Sequence, residues 1–204
     1  LYQTRLLSIV APGGTGKTRL AWRIAAEHAQ SRPIVFVSLD GVSTSEQFVS
    51  AIAAALRFPF HGSDAREKQL IDYLRNKPTM LVLDNADAMA GQAGFAGQLA
   101  SACTRLTILV TAREPLHVIG EVVYRLSGLS FGGVDVAHSP AFQLFAFEAQ
   151  AQGGAGANAD EIDQFREICG LVDGSPLALR LVARWSRLLS LAEILAELRQ
   201  GPDF

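Results

Sequence analysis

The sequence predicts a doubly wound α/β layer, a parallel sheet sandwiched by helices, followed by a small helical domain. Two observations carry that prediction. Short, nearly continuous apolar runs alternate with helical patterns through the first 130 residues, as strands buried on both faces of a parallel sheet require. Beyond the Gly132-Gly133 turn the pattern is helical only. The boundary is placed at 127–133, dividing the chain into residues 1–130 and 131–204.

The first run, Leu6–Val10, leads into a glycine-rich stretch and then a helix whose Leu20, Ala21, Ile24, Ala25 and His28 share one face. Ile34–Leu39 is the second strand, and Met80–Leu83, Leu106–Thr111 and the weaker Val122–Leu126 complete the set. Thr44 with Gln47, and Asp64 with Glu67, each place a side-chain acceptor before a helix and a partner three residues on, so both helices are expected to start on a capping box. In the helical part Pro140–Ala151 reads as one helix, followed by the low-complexity stretch QGGAGANAD. Ile162, Phe165, Ile168 and Leu171 then recur at helical spacing. Pro176 suits the first turn of a third helix, where its missing N–H costs nothing. Ser190 with Glu193 caps a fourth, which Gly201-Pro202 stops.

Composition narrows the function classes. Apolar residues make up 49% and charged residues 19% of the 204, which suits a packed core and argues against wholesale disorder. A net charge of −2, with no basic stripe and no helix-turn-helix pattern, gives no reason to expect direct nucleic-acid binding by this segment. Cys103 and Cys169 are far apart and form no metal-ligand pair; they read as ordinary thiols of a reducing compartment, and a cytoplasmic location is expected. No apolar run reaches the roughly 18 residues needed to span a bilayer, and Leu1-Tyr2-Gln3-Thr4 lacks the features of a secretion signal. The chain has no initiator methionine and stops shortly after a helix, which leads to the expectation of a piece of a longer protein.

The stretch LLSIVAPGGTGKTRLAWRIA, Leu6 to Ala25, carries the most chemistry. A phosphate cradle needs consecutive backbone N–H groups pointing inward, a helix N-terminus behind them and a cation at the end. Gly13, Gly14 and Gly16 supply the freedom around Thr15, Lys17 the charge for β- and γ-phosphates, and Thr18 a hydroxyl for magnesium, with Arg19 following. The usual pattern G-x-x-x-x-G-K-[ST] has its first glycine replaced by Ala11, where a glycine-only backbone angle would be strained. In TMLVLDNADAM an apolar run ends in Asp84, at the carboxyl edge where open α/β sheets bind ligands; a carboxylate there can hold magnesium opposite Thr18. LTILVTAREPL delivers Thr111 and Arg113 to the same edge, where an arginine can sense a γ-phosphate or pair with Glu114 or Glu121 at the surface. GSPLAL, Gly174 to Leu179, opens a helix and alone is also plain punctuation.

Taken in order, APGGTGKT, LVLDNAD, ILVTAREPL with GEVVYRLSGLS, and GSPLAL resemble the STAND class of P-loop signal-transduction ATPases, relatives of the NB-ARC modules. The similarity is nearest to the bacterial branch in LuxR-like and SARP-like transcriptional regulators and large repeat-containing proteins, and runs over nearly the whole chain. The resemblance implies a P-loop NTPase fold and ATP or ADP with Mg2+ as cofactors. It implies Lys17 and Thr18 as phosphate and magnesium residues, Asp84 as the magnesium-site acid, Arg113 as the sensor, and Pro176 against the adenine. It also implies an ADP-held closed state, opening on exchange for ATP, contacts with effector and repeat domains of a parent protein, and nucleotide-dependent self-association. Asn85 stands where hydrolysing relatives carry a second acid, with Asp87 the nearest substitute; slow hydrolysis or almost none is expected. Two other readings remain open: a nucleotide-free interaction scaffold, supported by Ala11 and Asn85, and a P-loop small-molecule kinase, for which His28, His61, His117 and His138 offer no obvious base.

Overall fold

The computed structural model describes residues 4–89, 93–132, 136–151 and 161–201. Gly133, the QGGAGANAD stretch and Pro202 lie outside the described residues. The chain forms two compact units, residues 1–13 with 17–126, and residues 14–16 with 127–204.

The first unit is a five-stranded parallel sheet: β1 (Leu6–Val10), β2 (Ile34–Ser38), β3 (Met80–Asp84), β4 (Thr107–Ala112) and β5 (Glu121–Arg125). The spatial order is β2-β3-β4-β1-β5. β4 therefore lies between β1, which ends at the glycine-rich loop, and β3, which ends at Asp84. The register sets Leu6 opposite Ile108 and Leu81 opposite Ile108 as well, so the carboxyl ends of the three strands finish level.

Alternation sends successive strand residues to opposite faces. Leu81 and Leu83, with Ile108 and Val110, join a core with α2 (Ser45–Ala55), α3 (Arg66–Leu74) and α4 (Gly94–Ala102), which contribute Phe48, Ile52, Leu70, Leu74 and Leu99. Met80, Val82, Ile9 and Leu109 face the other way onto Ala21 and Ala25 of α1 (Lys17–His28). With both faces covered, β3 and β4 are almost wholly buried, which is why their sequences lack the polar alternation of a one-sided sheet. Edge strand β5 is mostly exposed, and its sequence signal is accordingly weak.

Thr44 and Gln47 form the complete capping box at α2. The box expected from Asp64 and Glu67 does not form. α3 begins one residue later than that spacing requires, with Ala65 at the N-cap and no side-chain cap bond. Gln69 ties the turn instead, donating Nε2 to Asp64 O at 2.9 Å and accepting the His61 N–H at 3.0 Å, while the Asp64 carboxylate pairs with Lys68 at 3.6 Å.

The second unit is helical: α5 (Pro140–Ala151), α6 (Ile162–Leu171), α7 (Pro176–Trp185) and α8 (Leu191–Gln200). Phe145, Phe165, Ile168, Leu179, Val182 and Ile194 make its core. The face expected at Ile162, Phe165, Ile168 and Leu171 is rotated at its end, because Leu171 is half exposed and Cys169 is buried in its place. Cys103 and Cys169 are free and buried; burial raises both thiols, Cys169 to about 12, so neither supplies a thiolate near neutrality. No helix among the described residues is long and apolar enough to cross a membrane.

Candidate functional site at the carboxyl edge of the sheet

The loop from Ala11 to Gly16 joins β1 to α1. Gly14 and Gly16 have φ of +79° and +98°, conformations that a residue with a Cβ adopts only with strain. Open space faces Gly13 and Gly16. Ala11, the departure from the usual pattern, is absent from the positive-φ residues, so the expected strain does not arise. It is buried, its N–H reaches Ala112 O at 3.3 Å, and its carbonyl accepts Lys17 Nζ at 2.8 Å. A glycine-only angle is not needed there.

Lys17 also donates Nζ to Pro12 O at 2.9 Å. Both partners are neutral carbonyls. Its ammonium is held below the usual lysine range, first by desolvation; Arg113 lowers it further, while Asp87 and Asp84 act in the opposite sense. α1 has no acidic residue in its first turn, which reads Lys17-Thr18-Arg19. Two cations at a helix N-terminus oppose the partial positive charge of the macrodipole, and with the Asp84 carboxylate engaged by Thr18 the turn is suited to a further anion.

Across the sheet edge, Thr18 donates Oγ1 to Asp84 Oδ1 at 2.8 Å. Thr111, at the end of the intervening β4, donates to the same Asp84 oxygen at 2.6 Å. Thr111 Oγ1 in turn accepts the Asn85 N–H at 3.0 Å. Asn85 has φ +60°, a region asparagine tolerates better than most residues, which offers a backbone reason for its presence where an acid was expected. Residue 85 also meets an unforeseen partner, because Asn85 Nδ2 donates to Asp40 Oδ1 beyond β2.

Asp87 is engaged elsewhere. It accepts the Arg113 N–H at 2.5 Å and pairs with the guanidinium Nε at 3.1 Å. The surface alternative for Arg113 thus has a different partner from the one expected: Glu121 caps the N–H groups of Leu116 and His117 at 2.9 and 2.8 Å. Arg113 remains largely exposed. Arg19 is also exposed. His28, half-buried, places Nδ1 2.9 Å from Ile24 O and so serves its own helix end.

Pro176 occupies the first turn of α7 in the second unit. The glycine before it has a structural reason: Gly174 takes φ +60°, and a Cβ there would lie 2.3 Å from Leu129 O. Its carbonyl accepts the Leu129 N–H at 2.8 Å. The sequence offered no sign of this return contact, and the missed residues of the first unit, Asp40 foremost, likewise belong to pairings made only across strands.

The residues fit a magnesium-bound polyphosphate. No group of three or more His, Cys, Asp and Glu suited to a metal occurs among the described residues, so the Thr18–Asp84 pair would contribute one hydroxyl and one carboxylate. That leaves most of a magnesium shell to water and phosphate oxygens, the division Mg2+ favours. The loop, open at Gly13 and Gly16, would receive the phosphates, with Lys17 turning from its carbonyls to them.

The sequence model of the AAA domain matches residues 2–119, more than half of the chain. The chain belongs to the AAA domain family. A Mycobacterium tuberculosis protein with the provisional name of an HTH-type transcriptional regulator is 33% identical to this AAA protein over 199 residues, 95% of the chain and 22% of the relative. The chain thus spans about a fifth of that relative's length. Among solved structures, Drosophila ORC bound to DNA aligns over 97% of this chain and 62% of its own, with TM-score 0.59 and 13% identity. A STAND protein with a tetratricopeptide repeat sensor from Pyrococcus horikoshii aligns over 98% and 31%, with TM-score 0.54 and 14% identity. At those identities the likeness is one of fold: the P-loop NTPase α/β arrangement.

Proposed function

We propose that this AAA domain is the ATP- and ADP-binding switch module of a larger STAND-type signalling or transcriptional regulator, with slow hydrolysis or almost none. The observation that carries the reading is the start of α1, where two basic residues and no acid follow a loop that faces open space at Gly13 and Gly16. Such a turn calls for an anion with several charges.

In the proposed mechanism the backbone of Gly13–Gly16 donates to phosphate oxygens, and Lys17 neutralises the β- and γ-phosphates. Thr18 and Asp84 would hold Mg2+, which when bound would supply charge neutralisation to the phosphates. Arg113 leaves Asp87 for a γ-phosphate, so that ATP and ADP make different contacts, the condition for any switching. Pro176 would lie against the adenine and tie the helical unit to the nucleotide. Asn85 orients a water without removing its proton, so turnover is slow. The neighbours of this module in the parent protein would be effector and repeat domains, with nucleotide-dependent self-association in a cytoplasmic setting. Regulator function is supported by the name of the mycobacterial relative, and the STAND neighbour shares the fold.

Calorimetric titration of ADP and ATP, with and without Mg2+, into the parent chain and Lys17→Ala tests the proposal. Micromolar binding by the parent and its loss in the variant is the expected outcome. Equal affinity in both proteins would overturn it.

A further inference from the structure

β5 ends the sheet, paired with β1 on one side and with no strand on the other. Val122, Val123 and Tyr124 are 47%, 38% and 52% exposed, and among the described residues they join none of the hydrophobic cores. Edge strand β2 at the opposite end differs, with Val37 buried and Ile34 to Phe36 half-buried. Alternation puts Val122 and Tyr124 on one face of β5 and Glu121, Val123 and Arg125 on the other, so apolar side chains are exposed on both faces. An uncovered apolar edge is a template for a further strand.

The ladder fixes which backbone groups point outward. Leu126 donates its N–H to Val10 O at 2.9 Å, and successive residues of a strand direct their peptide groups to alternate sides. Leu126, Tyr124 and Val122 therefore turn to β1, whereas Val123 and Arg125 turn away from it. The Glu121 N–H, outward as well, closes on Val118 O at 3.2 Å.

The strand sequence EVVYR is complementary to itself run backwards. Antiparallel pairing about a two-fold axis at Val123 sets Glu121 opposite Arg125 and Val122 opposite Tyr124. Val123 then exchanges N–H and C=O bonds with its counterpart, and the Arg125 N–H meets the Glu121 carbonyl. Opposite charges, and an aromatic with a β-branched residue, are both favourable cross-strand pairs. An axis at Val122 or Tyr124 loses the charge pairs and centres the contact on groups already turned to β1. Glu121 accepts the Leu116 and His117 N–H groups, one on each oxygen, and each carboxylate oxygen retains a further acceptor site for a guanidinium.

We propose that the outer edge of β5 binds a second copy of this chain, antiparallel and in register about Val123, joining the two sheets into one. The contact is the same patch on both copies and closes at the dimer. The inference does not rest on the nucleotide reading, and pairing is expected with and without Mg-ADP. One short strand edge makes a small interface, so a weak dimer with Kd of about 100 μM is expected.

Sedimentation velocity below and above that concentration tests the dimer. Val123→Pro removes an outward N–H without touching a β1 bond, a change edge strands tolerate, and should raise Kd at least about tenfold. Arg125→Glu sets like charges opposite each other at both ends of the contact and should raise Kd about fivefold or more. Lys17→Ala should dimerise as the unmodified chain does. Register is read by oxidative cross-linking. Val122→Cys and Tyr124→Cys chains should form a disulfide when mixed and far less of it alone, because each position lies opposite the other and only diagonal to itself. An unmodified chain that stays monomeric would leave the edge to another domain of the parent protein and overturns the inference. An unchanged Kd in Arg125→Glu, dimerisation lost in Lys17→Ala, or a mixture that cross-links no better than either chain alone overturns it as well. The cross-linking decides even where Val123→Pro does not fold.

Discussion

α1 of the sheet unit and α8 of the helical unit begin in opposite ways. α8 follows every rule for a helix start: Ser190 accepts the Glu193 N–H, and Glu193 accepts back from the Ser190 N–H and hydroxyl, both at 2.8 Å. Those bonds hold the Glu193 carboxyl below its usual range, the backbone donor foremost. α1 has the reverse charge at the corresponding place, with Lys17 and Arg19 and no acid in its first turn. A self-sufficient helix end stabilises the fold, whereas a turn with this charge leaves a role for a ligand. A helix start that breaks the local charge rule in its own sequence marks a candidate functional position.

Lys17→Ala breaks that contrast hardest. ADP affinity should fall about 100-fold or more, roughly 2.7 kcal/mol, by calorimetry. Stability without nucleotide should change by less than about 1 kcal/mol, because burial already disfavours the charged lysine in the folded chain. The sign of the pH effect follows: bound phosphate raises the depressed Lys17 pKa, so binding takes up a proton, and ADP affinity declines as pH rises through the lysine's range. A steady affinity across that range would show that Lys17 does not meet the phosphates.

Asp84→Asn should weaken Mg-ADP about tenfold and magnesium-free ADP far less, read by titrations with and without EDTA. Equal losses would assign Asp84 to holding Thr18 and Thr111 rather than to the metal. On the other side of the comparison, Ser190→Ala should cost about 1 kcal/mol at neutral pH, measured by urea unfolding, with unchanged ADP affinity. The folded-state pKa of Glu193 is depressed, so the capping contribution is present above the ordinary glutamate range and lost as pH falls through the folded-state value. The smallest effect belongs to Ala11→Gly, which restores the usual loop pattern. With no glycine-only angle at this site, ADP affinity should stay within about twofold, and stability should fall by about 0.5–1 kcal/mol through the entropy of the unfolded chain.

Much of this was open to reading from sequence because it is local. The strands at 80–84 and 107–112 announce themselves through unbroken apolar residues, and Thr44-Gln47 and Ser190-Glu193 form their boxes within four residues. Asp64-Glu67 had the same spacing and failed, since Gln69 competes for that turn. Spacing proposes a cap; the neighbouring side chains decide it. The pairing of Thr18 with Asp84 followed from their places at strand and helix ends, but the bridge through Thr111 depended on β4 being inserted between β1 and β3. No spacing along the chain encodes that neighbour.

The amino-acid sequence by itself determined the alternation of strand and helix, the glycine-lysine loop and the polar residues at the strand ends, because hydrophobic period, turn chemistry and capping act over a few residues. Only the tertiary structure decided that Asp87 takes Arg113, that Asp40 takes Asn85, and that Leu129 closes over Gly174. Those partners lie 26, 45 and 45 positions apart in the chain, and strand order and register, set by burial of the whole sheet and by the fold of each unit, bring them together.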